Sequence, residues 1–230
     1  MLKFIPFAFV LLTACATFSR SERAAMDELW GKDIAAFDEL NKGFLPEQAI
    51  LFYGSSSIRL WDNIETDMAP FPVVRRGYGG ASLHDAAYFA RRVLTPIDYR
   101  ALVLFVGNDI WGNEYDKTPE EMEFLADKIV RTSRRHEKSA PVFFIEVTHV
   151  PARAHLIKEW DAANAKLKAY ADEHDFVHFI PTRDLYIKEN GQIREDLFRE
   201  DNIHQNEAGY AIWKERIKDE ISKVFPALAK

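Results

Sequence analysis

The stretch Ala49-Ile50-Leu51-Phe52-Tyr53-Gly54-Ser55-Ser56-Ser57 decides how this chain is expected to fold. Its first part, Ala49–Tyr53, is a continuous apolar run without the alternation of polar and apolar side chains that marks a half-exposed strand. A strand covered on both faces, as in a parallel sheet, has such a composition. The glycine and serines that follow end the strand and favour a turn into a helix.

Four more apolar runs follow along the chain, and helical patterns lie between them. The predicted strands are Ala49–Tyr53, Pro72–Arg75, Ala101–Val106, Val142–Val147 and Val177–Ile180. The predicted helices are Glu22–Asn41, Ser57–Ile64, Ser82–Val93, Thr118–His136, Trp160–His174 and Asn206–Val224. This alternation predicts a single three-layer α/β domain, with a five-stranded parallel sheet in flavodoxin-like order and helices on both faces.

Polar segments follow the predicted strands. They are Gly54–Ser57, Gly77–Gly80, Gly107–Asp109 and, after a longer loop, Asp201–His204. The carboxyl ends of the strands in a doubly wound sheet meet at one edge, where ligands bind. We therefore expect residues that are remote in sequence to meet at this edge.

A serine, a histidine and an acid within these segments are the parts of a nucleophilic acyl-transfer site. Ser56 would be the nucleophile and His204 its base, while Asp201, three residues earlier, can reach the other ring nitrogen of the histidine. Taken singly, the serine could instead cap a helix, and the histidine could be a surface residue. No metal is expected, because His149 and Glu146 have no ligand spacing that ties them to Asp201 and His204.

Together the four segments resemble the SGNH (GDSL-like) hydrolases over about residues 48–220. Gly54-Ser55-Ser56 matches the first block of that family, which is usually Gly-Asp-Ser, with Ser55 in place of the aspartate. With Ser57, the run resembles a branch whose first block reads Gly-Ser-Ser-Ser. The last block, Asp-x-x-His, matches Asp201 and His204. The resemblance implies that Ser56, Asp201 and His204 are catalytic.

The two middle blocks of the resemblance imply an oxyanion hole. Its donors would be the backbone N–H groups of Ser56 and Gly80 and the side-chain amide of Asn108. Asn108 matches a Gly-x-Asn-Asp block in which Val106 stands where the family has glycine. One such donor is typically worth about 10²- to 10³-fold in rate.

The resemblance implies a serine esterase or acylhydrolase that uses no cofactor. Its substrate would be a small ester with a short or acetyl acyl group, carried by a simple alcohol or by a carbohydrate, and Ser56 would be acylated on the way. A lysophospholipase or a thioesterase is the alternative among enzymes. The alternative of another class is a non-catalytic carbohydrate- or lipid-binding lipoprotein on the same scaffold.

Other polar and aromatic residues near the motifs have two interpretations. Arg153, which follows the fourth predicted strand, could contact substrate or form a surface salt bridge. Tyr78, Trp61 and Trp111 could line the pocket or belong to the core.

The N-terminal residues are predicted to be a targeting segment. Lys3 precedes the apolar run Phe4–Leu12, and Leu12-Thr13-Ala14-Cys15 resembles the lipobox of bacterial lipoproteins. We expect a signal peptide at 1–14, a lipid on Cys15, a tether at 15–21 and the hydrolase domain at 22–230. A plain secretory signal with an incidental cysteine is the alternative.

Composition narrows the expected partners and location. The net charge is −6 and no long basic run occurs, so nucleic acid is not expected as a partner. A lipid on Cys15 would attach the protein to a membrane of the bacterial cell envelope. Ala16 is not the aspartate that retains many lipoproteins at the inner membrane, which favours the periplasmic side of the outer membrane. The sequence makes no prediction of the oligomeric state.

Overall fold

The structure is a computed structural model, and it describes residues 18–226. The predicted signal peptide at 1–14, the lipid site at Cys15 and residues 16 and 17 of the predicted tether lie outside the described residues. Among residues 18–226, no helix is long and apolar enough to cross a membrane.

Five parallel strands form one sheet in the order β2-β1-β3-β4-β5, the flavodoxin-like order that the sequence predicts. Their bounds are β1 Ala49–Gly54, β2 Val73–Gly77, β3 Tyr99–Phe105, β4 Val142–Ile145 and β5 Val177–Ile180. Strand β4 is two residues shorter than predicted. The N–H and C=O groups of Val147 bond to the side-chain amide of Asn164, which replaces a neighbouring strand there.

Eight helices are described between residues 18 and 226. Their bounds are α1 Arg20–Leu40, α2 Ser56–Arg59, α3 Ile64–Asp67, α4 Leu83–Leu94, α5 Pro119–His136, α6 Ile157–Asp172, α7 Arg183–Tyr186 and α8 Glu207–Val224. Ser19 and Glu22 cap α1 reciprocally, so residues 20 and 21 of the predicted tether are helical. The single helix predicted at Ser57–Ile64 is two short helices, α2 and α3. Helix α7 was not predicted, because one helical turn has no detectable apolar period.

Apolar side chains pack against both faces of the sheet, as predicted. On one face, Ile34 of α1, Ala86 of α4, Ile129 of α5 and Leu167 of α6 belong to one buried cluster. On the other face, Ile58 of α2, Ile64 of α3 and Trp213 of α8 belong to a second. Because the five strands are parallel, their carboxyl ends all lie at the same end of the sheet.

The three aromatic residues of uncertain role divide between core and surface. Tyr78 and Trp61 are buried, and each belongs to one of the two core clusters. Trp111 is 50% exposed and lies in the loop between β3 and α5.

Candidate active site

A tight turn between β1 and α2 positions Ser56. Gly54 has a φ of +153°, and a Cβ atom on it would lie 1.8 Å from the carbonyl oxygen of Phe105, so a side chain cannot be accommodated. The N–H group of Ser55 donates to that same oxygen at 3.0 Å. Strand β1 thus passes against β3 and turns directly into α2, whose first residue is the half-buried Ser56.

The structure brings together the serine, the histidine and the acid. The Oγ atom of Ser56 lies 2.8 Å from Nε2 of His204, and Nδ1 of His204 lies 2.7 Å from Oδ2 of Asp201. Oδ1 of Asp201 accepts the backbone N–H groups of Ile203 and His204, each at 2.9 Å. An ionised carboxylate can only accept a hydrogen bond, so Nδ1 of His204 carries the proton and donates it to Asp201. Nε2 is then free to accept the serine proton.

Asp201 is held in its ionised form. Partial burial raises the pKa of this carboxyl group. The hydrogen bonds from the His204 ring and from the backbone N–H groups of His204 and Ile203 outweigh burial and lower the pKa to about 2. A carboxylate that is ionised throughout the neutral range can stabilise an imidazolium on His204.

Backbone contacts hold the loop that contains Asp201 and His204. Asn202 adopts a left-handed φ of +57°, and its carbonyl oxygen accepts the N–H group of Ala152 at 3.0 Å. The carbonyl oxygen of His204 accepts the N–H group of Arg199 at 2.8 Å. The loop then enters α8, which the side chain of Asn206 caps.

The predicted backbone donors have no competing protein acceptor. Within residues 18–226, the backbone N–H groups of Ser56 and Gly80 have no acceptor in the protein. Gly80 has a φ of +72°, and a Cβ atom there would lie 3.1 Å from the ring of Trp30. Glycine is therefore favoured at this position by both backbone conformation and space.

Asn108 lies beside these donors. Its Nδ2 atom donates to the carbonyl oxygen of Ala81, the neighbour of Gly80, at 3.0 Å. Asn108 and Ser56 also line the same small cavity. The role of Asn108 as an oxyanion donor stays a prediction, which its place in the cavity beside Ser56 is compatible with.

Arg153 does not form the surface salt bridge considered from the sequence, because its side chain points inward. It is 8% exposed and forms no ion pair with the residues that the structure describes. It donates to the carbonyl oxygen of Gly107 at 2.7 Å and to Oδ1 of Asn108 at 3.2 Å. Burial lowers the pKa of the guanidinium, and the nearby Asp116 partly offsets this. Arg153 also lines the cavity next to Ser56, so the predicted contact with substrate stays a prediction.

The cavity beside Ser56 has a volume of about 30 Å³. Its wall combines apolar and polar side chains: Phe105, Val147, Val150, Trp160 and Ile203 on the one hand, and Ser55, Ser56, Ser57, Asn108, Thr148 and Arg153 on the other. The Oγ1 atom of Thr148 is buried and has no hydrogen-bond partner among the described residues. Sequence reasoning did not single out Thr148, and a position directly after a predicted strand is too common a signal to have done so.

Glu146 and His149 lie apart from the Asp201–His204 pair. The Glu146 carboxylate accepts the backbone N–H groups of Thr182 and Arg183, at 2.6 Å and 2.7 Å. His149 lies 3.1 Å from Asp161. No group of three or more histidine, cysteine or acidic side chains that could hold a metal ion occurs in the described part of the chain.

The sequence profile of the GDSL-like lipase/acylhydrolase family matches residues 53–212. This range contains the turn between β1 and α2, and it also contains Gly80, Asn108, Arg153 and the Asp201–His204 pair. A search of curated proteins found no significant match.

Solved structures of similar fold come from bacteria and a fungus. One is a protein from Streptococcus pneumonia, provisionally named a platelet activating factor, with a TM-score of 0.74 and 20% identity over 88% of this chain and 99% of that chain. A GDSL-like lipase from Bacteroides thetaiotaomicron has a TM-score of 0.68 and 18% identity, and the match covers 86% of this chain and 97% of the lipase. A carbohydrate esterase family 3 protein from Talaromyces cellulolyticus has a TM-score of 0.61 and 12% identity, and the match covers 78% of this chain and 98% of the esterase.

Proposed function

Since this chain belongs to the GDSL-like lipase/acylhydrolase family, we propose that it is a serine esterase that removes an acetyl or other short acyl group. The observation on which this depends is the continuous hydrogen-bonded path from Ser56 through His204 to Asp201. A hydroxyl group is a poor nucleophile unless a neighbouring base removes its proton, and this path provides the base and the group that orients it.

The proposed reaction proceeds in two steps. His204 takes the proton of Ser56 as Oγ attacks the acyl carbon, and the carbonyl oxygen becomes negatively charged. The N–H groups of Ser56 and Gly80 and the Asn108 amide stabilise that oxygen. The C–O bond to the alcohol then breaks, and His204 protonates the departing alcohol. In the second step His204 takes a proton from water, which attacks the acyl carbon; the bond to Ser56 Oγ breaks, the acid is released, and His204 returns the proton to Oγ.

The size of the cavity supports a short acyl group. A cavity needs about 10–15 Å³ of volume in this measure to hold one water molecule, so about 30 Å³ leaves room for a group of one or two heavy atoms. A methyl group is of that order, whereas a fatty acyl chain would have to lie outside the cavity. The same observation disfavours the lysophospholipase alternative.

A carbohydrate is the leaving group that we propose for this acyl group. Trp111 and Tyr115, which are 50% and 78% exposed, lie in the loop that follows Asn108. Exposed aromatic rings with a polar edge suit a partner that presents both apolar and hydroxyl surfaces, as sugars do. The similarity to the fungal carbohydrate esterase shows only a shared fold, so the substrate assignment depends on the site itself.

The experiment is a comparison of ester substrates of graded acyl length, with acetylated sugars and an acetyl thioester alongside. We expect kcat/KM to be highest for acetyl esters and to fall as the chain lengthens. The Ser56→Ala variant is the control for background hydrolysis. A maximum at octanoate or longer would favour the lysophospholipase, and preference for the thioester would favour the thioesterase. Binding of sugars or lipids without hydrolysis by the wild type would favour the non-catalytic lipoprotein.

For the location, we propose a lipid on Cys15 that anchors the protein in the bacterial envelope, at the periplasmic side of the outer membrane. The support is the order of a basic residue, an apolar run and Leu12-Thr13-Ala14-Cys15. Mass spectrometry of the membrane fraction should find the lipid on the wild type and not on Cys15→Ser. Unmodified wild type in the soluble fraction of its native host would contradict the anchor.

A further inference from the structure

Arg153 is a buried cation that forms no direct ion pair with an acidic side chain among the described residues, although the nearby Asp116 stabilises its charge in part. Buried arginines are normally paired with a carboxylate, because an unpaired charge is costly to remove from water. The partners of Arg153 are instead two groups of the segment after β3, the carbonyl oxygen of Gly107 and Oδ1 of Asn108. The ring of Trp111, from the same loop, lies 3.7 Å from the guanidinium carbon. All three contacts tie Arg153 to one loop, which also contains Asp116, and none of the three is an ion pair.

That loop has no helix or strand of its own. Residues 106–117 form bends and turns between β3 and α5, so regular backbone bonds do not fix Asn108. Side chains do this instead. The Nε1 atom of Trp111 donates to the carbonyl oxygen of Asn108 at 2.9 Å, and Arg153 contacts the amide of Asn108.

The two neighbours of the Asn108 amide determine which way it points. Arginine can only donate hydrogen bonds, so the atom that faces Arg153 must be the oxygen, Oδ1. The carbonyl oxygen of Ala81 can only accept, so the atom that faces it must be the nitrogen, Nδ2. In the reversed orientation Oδ1 would face the oxyanion, and two negatively polarised oxygens would repel each other.

We propose that Arg153 is a positioning residue for ester hydrolysis, which holds the Asn108 amide so that the N–H not bonded to Ala81 is directed toward the oxyanion. This inference rests on the proposed esterase function. Trp111 assists by holding the guanidinium through its ring and the Asn108 backbone through Nε1. Arg153 therefore acts through Asn108, whose effect belongs to the transition state, so its loss lowers kcat more than it changes KM.

Lysine should not replace arginine in this role. The planar guanidinium reaches the Gly107 oxygen with Nη1 and Asn108 with Nη2, while its face lies on Trp111. An ammonium group is a single point charge that cannot meet all three requirements in a fixed geometry. Arg153→Lys is therefore an informative variant that keeps the charge and is the less disruptive change if Arg153→Ala folds poorly.

The test is a double-mutant cycle between Arg153 and Asn108 in the full-length protein. We measure kcat and KM for p-nitrophenyl acetate, and the rate of Ser56 labelling by a fluorophosphonate, in the Arg153→Ala, Arg153→Lys and Asn108→Ala variants. Arg153→Ala and Arg153→Lys should each lower kcat by about 10- to 100-fold, since small displacements of oxyanion donors are costly. KM should change by less than about threefold. In the Asn108→Ala background, the same changes should cost less than about threefold, because the residue being positioned is absent.

Arg76 is a matched control for the loss of a buried arginine. It is 5% exposed, donates to the carbonyl oxygen of Arg75 and to Oδ1 of Asn41, and lies 5.6 Å from the ring centre of Phe37. Phe37 lies in α1 and Asn41 caps its C-terminus, and none of these partners lines the cavity beside Ser56. Arg76→Lys should lower the melting temperature without lowering kcat or the labelling rate.

Two outcomes would overturn the inference. Equal losses of kcat in the wild-type and Asn108→Ala backgrounds would show that Arg153 acts independently of Asn108. A loss confined to KM would make Arg153 a substrate contact instead. If the wild type hydrolyses no ester but its serine is labelled, the proposed function fails, while the labelling rates of the four proteins in the cycle still test the positioning role.

Discussion

His204 and Ser56 are 148 positions apart in the chain, yet Nε2 of the histidine lies 2.8 Å from Oγ of the serine. Two separate structural features produce this contact. The turn after β1 presents Ser56 at the first position of α2. The loop before α8 presents His204, and its Asp201 partner orients the imidazole ring. The predictions below test what this contact and its surroundings do.

The first prediction concerns the nucleophile. Ser56→Ala should lower kcat by at least about 10³-fold and abolish covalent labelling by a fluorophosphonate, because no other hydroxyl contacts His204 in the described part of the chain. Ser57→Ala is the matched control. Ser57 is buried, and its carbonyl oxygen, which the substitution keeps, accepts the Tyr210 hydroxyl. Labelling that survives in Ser56→Ala and disappears in Ser57→Ala would show that Ser57, and not Ser56, is the nucleophile.

The second prediction compares the base with the acid that orients it. His204→Ala should cost more of kcat than Asp201→Asn, for which we expect a loss of about 10- to 10³-fold. An amide NH₂ facing Nδ1 would favour the histidine tautomer with its proton on Nε2, which cannot accept from Ser56. The check is kcat measured across pH for both variants.

Asp196→Asn is the control for this comparison, because Asp196 lies in the preceding loop and its side chain pairs with Arg194. It should leave kcat unchanged. Near-wild-type activity with an unaltered pH profile in His204→Ala would remove His204 from the mechanism.

The third prediction concerns acyl length. Val147 is 4% exposed and lines the cavity beside Ser56. Val147→Ala removes two methyl groups and should raise kcat/KM for butyrate relative to acetate by several-fold, at a cost of about 1–3 kcal/mol in stability. Val142→Ala, at the buried start of β4, the strand that precedes Val147, should cost similar stability without changing the ratio. An unchanged ratio in Val147→Ala would mean that this cavity does not receive the acyl group.

The fourth prediction concerns the pH dependence of stability. Burial raises the pKa of Asp109 from 3.8 to about 7, although the backbone N–H group of Leu83, which donates to both carboxyl oxygens, lowers it. As pH rises from about 4 to about 7, the unfolded chain releases this proton while the folded chain retains it. The contribution of Asp109 to the free energy of unfolding should therefore decrease over that window.

Asp109→Asn cannot titrate, and the remaining amide oxygen can still accept the Leu83 N–H group. The melting temperature of this variant should fall less between pH 4 and pH 7 than that of the wild type. Asp98→Asn, at an exposed position, is the control and should follow the wild type. If the melting temperatures of Asp109→Asn and the wild type change with pH in parallel, Asp109 is not kept protonated in the folded protein.

Local patterns were sufficient to predict much of the fold. All five strands lie within two residues of their predicted starts, because a strand buried on both faces needs a continuous apolar run. Helix α5 begins with Thr118 and Glu121 capping each other, in the Thr-Pro-Glu-Glu sequence that predicted its start. Strand β4 ends earlier than predicted because a side chain from elsewhere takes over there: Asn164 bonds to the backbone of Val147.

The sequence by itself determined where the strands and helices lie, and it identified Ser56, Asp201 and His204 as candidates for one site. These features depend on composition and on spacings of two to four residues, which neighbours along the chain set directly. Only the tertiary structure decided that Arg153 holds Asn108, 45 positions away, and that the cavity beside Ser56 is small. The physical reason is that the burial and partners of a side chain depend on how distant elements pack, which no local pattern specifies.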